Sequence, residues 1–235
     1  MAKGIYMAKV VISGASRGIG LALAREYAKA GDRVFAFCRS PQEAHALNRL
    51  AGASGGKISV HEMDVADGRS VAEGVKVLGS EPVDVLLNVA GILGGSNQGL
   101  HDSDFAAWHA AFEIMTIGPF RVVQALLPNL EKAKGKVVTI TSQLAASTWP
   151  YGGLYAYGAA KAAVNRVMKS LSIDLRDKGV AVALVHPGYV KTDMSGPDAD
   201  LTPEESAAGI HSVVSSLSDA TTGSFLKWNG ETHPW

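Results

Sequence analysis

The sequence predicts a doubly wound α/β fold: a parallel sheet of about seven strands with helices on both faces. Three observations predict it. Strand-length apolar runs alternate with longer segments of helical periodicity. The strands are apolar on both faces, as a sheet covered on each side requires. The first strand runs into a glycine-rich turn, Ser13 to Gly20, that opens a helix.

The elements follow in order. Lys9 to Ser13 is the first strand. A helix is expected over about 18–30, with Ile19, Leu23 and Tyr27 on one face, and Gly31-Asp32 ends it. Arg33 to Phe37 is the second strand, Ile58 to Glu62 the third and Val83 to Leu87 the fourth. Lys136 to Thr141 is the fifth, Val180 to Val185 the sixth, and a short last strand lies near Ser224 to Leu226. A long helix is expected over about 155–178, with Ala163, Val164, Val167 and Leu171 as its apolar side. Right-handed crossovers wind such a chain outward from the middle of the sheet. The patches at 52–56, 94–95 and 152–153 are loops. No repeat or low-complexity linker divides the chain, so one domain over 1–235 is expected.

Composition excludes several classes. Lys+Arg and Asp+Glu are both 22, and this neutrality argues against a nucleic-acid or membrane-surface partner. No run of about 18 apolar residues suggests a membrane span. Met1 to Tyr6 lacks an apolar signal region, which points to a cytoplasmic protein. Met-Ala-Lys occurs at both Met1 and Met7, giving two candidate starts. Cys38 is the only cysteine, so no internal disulfide forms. The histidines show no metal-ligand spacing, and no metal is expected.

The glycine turn has a physical use. Gly14 permits the sharp turn, Gly18 lets a pyrophosphate approach the backbone, and Gly20 lets helix and strand pack closely. The helix N-terminus offers free N–H groups and a positive dipole end. Ser16, Arg17 and Ile19 complete this candidate cofactor-binding turn. NAD-selective sites place a carboxylate at the end of the second strand. Here Cys38 and then Arg39 stand there, and Arg17 lies within reach. Two guanidiniums suit a 2′-phosphate, so NADP(H) is the expected cofactor.

Tyr157 and Lys161 are spaced to share one helical face. Hydride attack on a carbonyl develops negative charge on oxygen, where a phenol can donate a proton. An ordinary phenol, with a pKa near 10, is a poor partner at neutral pH. A neighbouring ammonium is expected to lower it.

These motifs, in register over essentially the whole chain, resemble the short-chain dehydrogenase/reductase family, with its Rossmann-type sheet. Gly14, Gly18 and Gly20 match its glycine spacing, with Ser13 where it carries Thr. The resemblance implies that Asp64 and Val65 hold the adenine ring. It implies that Asn88, Ala90 and Gly91 form a cofactor wall, with Val89 in place of a second Asn. Ser142 is implied as the residue that steadies the substrate oxygen, with Thr141 as the alternate. Tyr157 and Lys161 are the implied proton donor and its partner, and Lys161 also meets the nicotinamide ribose. Pro187, Gly188, Val190 and Thr192 are implied to meet the nicotinamide carboxamide. Met115 stands where the family carries a fourth catalytic residue, an Asn that kinks its helix and anchors a water beside the Lys. The segments 152–157, 162–165, 186–194 and 202–206, with Pro234-Trp235, are similar to the sniffer/C-factor group of carbonyl reductases. Homo-oligomerisation through the helices carrying Met115 and Tyr157 is a further implication.

Two functions stay open. One is an enzyme that transfers hydride from NADPH to an aldehyde, ketone or quinone. The other is an NADP(H)-binding signalling protein with little turnover, which Val89 and Met115 favour.

Overall fold

The computed structural model describes residues 7–95 and 97–235. The reading of Met1–Tyr6 lies outside them. Seven strands form one sheet: β1 (Lys9–Ser13), β2 (Arg33–Cys38), β3 (Ile58–Glu62), β4 (Val85–Asn88), β5 (Lys136–Ile140), β6 (Ala181–His186) and β7 (Ser224–Lys227). Their order is β3-β2-β1-β4-β5-β6-β7, and every neighbouring pair is parallel. The chain winds one way from β1 to β3, then reverses to β4. The crevice at that reversal is where open α/β sheets bind their ligands.

The helices are α1 (Gly18–Ala30), α2 (His45–Ala53), α3 (Gly68–Gly74), α4 (Phe105–Phe112), α5 (Gly118–Ala133), α6 (Tyr155–Asp174) and α7 (Pro203–Ser216). The period-2 alternation of the strands sorts them onto two faces. Val10 and Ile12 face α1, α2 and α7 through Leu23, Leu47 and Ile210. Val11, between them in sequence, faces the opposite way, towards α3, α5 and α6 through Val71, Leu126 and Val164. α1 ends as expected, because Gly31 adopts φ 102 and its N–H returns to Ala28.

Several bounds shift. β4 starts at Val85 and reaches Asn88, and β6 and β7 each run one residue further than expected. The sequence had placed Thr141 in the fifth strand, yet β5 ends at Ile140. Even so, the Thr141 N–H still bonds the Val185 carbonyl. α6 stops at Asp174, and a tighter 3₁₀ turn over Arg176–Lys178 leads to left-handed Gly179.

α4 and α5 form one continuous helix joined by a π-helical turn at Glu113–Ile117. Pro119 explains the turn. It has no N–H to give the Met115 carbonyl, and the Gly118 N–H reaches back five residues to Glu113. The break therefore forms without an Asn at 115. Over 105–133 this helix is long and apolar enough to cross a membrane by length and composition, a run the sequence reading did not find. Packing accounts for its apolarity, since Val122, Leu126 and Leu130 are fully buried against the sheet.

Candidate active site

Every sequence-predicted site residue lies at or just beyond the C-terminal ends of β1 to β6, or on α1 and α6, which start there. The glycine turn is closed by local geometry. Gly14 has φ 77, and a Cβ there would stand 2.6 Å from the Cα of Ala90. A Cβ on Gly20 would stand 2.1 Å from the Gly14 carbonyl oxygen, so no side chain fits. Gly18 faces Thr192 across the turn. No side chain caps α1 at Arg17, and no acidic residue occupies its first turn. Its first N–H groups are thus left to an anion.

The walls are built from strand ends. Asn88 is buried, and its Nδ2 donates to Thr139 at 3.3 Å. Its Oδ1 is buried without a partner among the described residues, an acceptor suited to a donor on a bound group. Gly91 is open towards Lys161, whose Nζ would lie 3.8 Å from an added Cβ. Val65 is buried against Gly118, and the Asp64 carboxylate is held by the Ala66 N–H at 2.9 Å. On the far side Gly188 has φ 87, and the Pro187 carbonyl accepts from Ser206 at 2.7 Å. Val190 is buried and bridges to Leu201. Thr192 Oγ1 lies 3.3 Å from Ser195 Oγ.

Arg39 is exposed just past β2 and has no ion-pair partner among the described residues. Arg17 is exposed as well, and its guanidinium pairs with Asp193 at 3.0 Å. Asp193 follows Thr192, which contacts Gly18 in this turn.

Tyr157, Ser142 and Lys161 come together. Tyr157 and Ser142 lie within hydrogen-bonding reach of each other. The Ser142 hydroxyl also accepts from the Leu144 N–H at 3.2 Å. The alternate, Thr141, is committed elsewhere, since its hydroxyl donates to buried Asn165 at 2.6 Å. Lys161 Nζ lies 5.8 Å from the Tyr157 ring centroid and donates to the Ile140 carbonyl at 2.8 Å. Met115 is buried against Ala111, Ala156 and Ala160. Its sulfur would lie 3.5 Å from a Cβ on Gly91, the same point that Lys161 approaches. Thr116 donates to the Ala160 carbonyl at 2.9 Å, tying the π turn to α6.

The electrostatics overturn one expectation. The ammonium was expected to lower the phenol pKa. Burial instead pushes Tyr157 up, and only its hydrogen bond with Ser142 opposes this. Burial also lowers Lys161 to about 8. Desolvation dominates because Lys161 is buried and Tyr157 is partly buried against the apolar cluster around Met115. Sequence spacing reports which groups are neighbours but not how much water they lose.

Comparisons with known proteins agree with this geometry. Residues 8–201 match the short chain dehydrogenase family. The chain belongs to that family. It is 43% identical over 158 residues to the C-signal protein of Myxococcus xanthus, a match spanning 66% of this chain and 93% of that one. The NADPH-bound carbonyl reductase from chicken fatty liver superposes with a TM-score of 0.90 at 29% identity, covering 98% of this chain and all of that one. The carbonyl reductase Sniffer of D. melanogaster gives 0.89 at 28% identity, with the same coverage. The resemblance to the sniffer and C-factor type is thus borne out.

Sequence reasoning missed two buried polar residues. Asn165 holds Thr141. Gln98 accepts from the Tyr157 N–H at 3.0 Å. Gln98 lies in no motif, Asn165 lies in the 162–165 segment singled out above without its bond being readable there, and both act on positions distant in sequence.

Proposed function

We propose that this chain is a carbonyl reductase that uses NADPH to reduce an aldehyde, ketone or quinone. The observation that carries this reading is the cluster of Tyr157, Ser142 and Lys161 beside a glycine turn and an uncapped helix N-terminus. The likeness to an NADPH-bound carbonyl reductase supports it.

When bound, the dinucleotide supplies the hydride that adds to the carbonyl carbon. The turn at Gly14, Ser16, Gly18, Ile19 and Gly20, with the first turn of α1, holds the diphosphate. Arg39, with Arg17, takes the 2′-phosphate. Asp64 and Val65 flank the adenine, and Asn88, Ala90 and Gly91 line the middle of the groove. Pro187, Gly188, Val190 and Thr192 bound its nicotinamide end.

Ser142 and Tyr157 donate hydrogen bonds to the substrate oxygen. Tyr157 then gives its proton to that oxygen as charge develops there. A phenol held above its ordinary pKa is fully protonated at neutral pH and ready to donate. The phenolate left behind faces Lys161, which is mostly cationic at neutral pH with a pKa of about 8. That positive charge favours the phenolate and lowers the barrier.

The test is NADPH consumption against a panel of carbonyls, with NADH in parallel. Tyr157→Phe is expected to lower kcat by about 10²–10⁴-fold while NADPH still binds. Equal consumption by wild type and Tyr157→Phe would sink the proton-donor role.

A second reading, an NADP(H)-binding signalling protein with little turnover, is favoured by Met115. Its sulfur fills the space beside Lys161 and offers no useful hydrogen bond. Tight NADPH binding without turnover, unrescued by Met115→Asn, would select that reading. Rescue would mark an enzyme with an impaired relay. Ile117 on the π turn, Phe120 on α5 and Ile173 on α6 are exposed, and these apolar side chains favour pairing of two copies through the two helices.

A further inference from the structure

The segment after Gly91 holds a contact that the chemistry above does not use. Gln98 is 3% exposed, and both ends of its amide are satisfied within the chain. Nε2 donates to the carbonyls of Leu93, at 2.6 Å, and Gly95, at 3.0 Å. Oε1 accepts from the Tyr157 N–H at 3.0 Å. Only this orientation works, because a flipped amide would face two carbonyls with an oxygen and an N–H with an NH₂.

The donor on α6 needs this partner. Tyr157 is the third residue of the helix, so its N–H has no acceptor within the helix. The helix's own cap position supplies none, since Leu154 adopts φ 48 and its side chain carries no oxygen. Gln98 provides the missing acceptor from 59 residues away. Its other end fixes the backbone of 93–95, which continues from the groove wall at Gly91.

We propose that Gln98 is a positioning residue that sets Tyr157 and the backbone of 93–95 from a single buried amide. It caps α6 at the tyrosine, and it holds 93–95 so that the wall beside Lys161 and the phenol keep a fixed relation. The proposal deepens the reductase reading and rests on it for its kinetic part, but the cap itself does not.

Two variants separate the halves of the device. Gln98→Met keeps the length and removes all three hydrogen bonds. Gln98→Glu keeps an acceptor for the Tyr157 N–H; its buried carboxyl faces two carbonyls, which holds it protonated, and it donates to only one of Leu93 and Gly95. Backbone amide exchange followed by NMR reads the cap without any turnover. In Gln98→Met the Tyr157 amide is expected to exchange about tenfold faster, while the Lys161 amide, inside the helix, is unchanged. In Gln98→Glu the Tyr157 amide keeps its protection.

With NADPH and a carbonyl that the wild type reduces, Gln98→Glu is expected to raise KM about fivefold at near-normal kcat. Gln98→Met is expected to lower kcat about tenfold as well. NADPH affinity should stay within about twofold in both. Wild-type protection of Tyr157 in Gln98→Met overturns the proposal, and so does an unchanged kcat there. If Gln98→Met fails to fold, seen as lost NADPH binding, Gln98→Glu decides: raised KM with a protected Tyr157 amide supports the proposal, and unchanged KM overturns it. A wild type that reduces no carbonyl defeats the reductase reading alone, and the exchange measurement still decides the cap.

Discussion

The glycine turn over 13–20 and the segment over 91–98 both adjoin the ends of β1 and β4, yet they are held by different means. The turn is shaped by its own backbone. Gly14 and Ala15 donate to the Phe37 carbonyl of the next strand, and the Cβ positions of Gly14 and Gly20 are filled by neighbouring backbone. The backbone of 93–95 is held instead by a side-chain amide at Gln98, and that amide also reaches α6. Close backbone packing leaves no tolerance for substitution, whereas a polar tether fails by degrees. The difference teaches that the turn after β1 is set by sterics and the backbone after β4 by a few buried hydrogen bonds.

Gly20→Ala would break the comparison most severely. Its Cβ would meet the Gly14 carbonyl at 2.1 Å, so the turn must open. The expected result is loss of NADPH binding and destabilisation of about 3 kcal/mol or more, read by calorimetry and cofactor titration. A stable Gly20→Ala protein with normal affinity would show that the turn is not sterically closed.

Lys161→Met probes the buried corner between the two regions. Burial holds Lys161 at about 8, below its ordinary 10.5. Between those values the unfolded chain binds a proton that the native state does not, so this group adds stability as pH rises from about 8 to 10.5. Below about 8 its burial costs the most. Lys161→Met is therefore expected to be more stable than wild type at pH 7, by about 1–2 kcal/mol once the lost bond to Ile140 is counted. That gain should shrink as pH rises through the same window, while activity is lost. A variant less stable than wild type at pH 7 would show that the Ile140 bond outweighs desolvation.

Asp193→Ala sharpens the contrast at its weak end. The Arg17–Asp193 pair is about three-quarters exposed on both sides. Its removal is expected to change stability by under about 0.5 kcal/mol. A larger loss in thermal unfolding would mean that the pair closes the groove and is not merely solvated.

Legibility in the sequence followed the same division. The strands, α1 and the glycine turn were readable because period, turn chemistry and apolar runs are local. Tyr157 and Lys161 were readable because four residues of helix bring them to one face. The pairing of Arg17 with Asp193 was not readable, because the two lie 176 residues apart. The π turn at 113–117 was legible only in part. Pro119 makes the break, but the bond from Thr116 to Ala160 that seats it on α6 is tertiary. The contacts of Gln98 and Asn165 were invisible, since a lone amide carries no periodicity.

By itself the sequence determined the doubly wound sheet, the glycine turn that opens α1 and the shared face of Tyr157 and Lys161. These follow from backbone sterics and repeat spacing, which act over a few residues. Tertiary structure alone decided which hydroxyl at the end of β5 faces Tyr157, which partner Arg17 meets, and how dry Tyr157 and Lys161 become. Those outcomes depend on which distant groups a folded chain packs together, and burial, unlike spacing, is a property of the whole molecule.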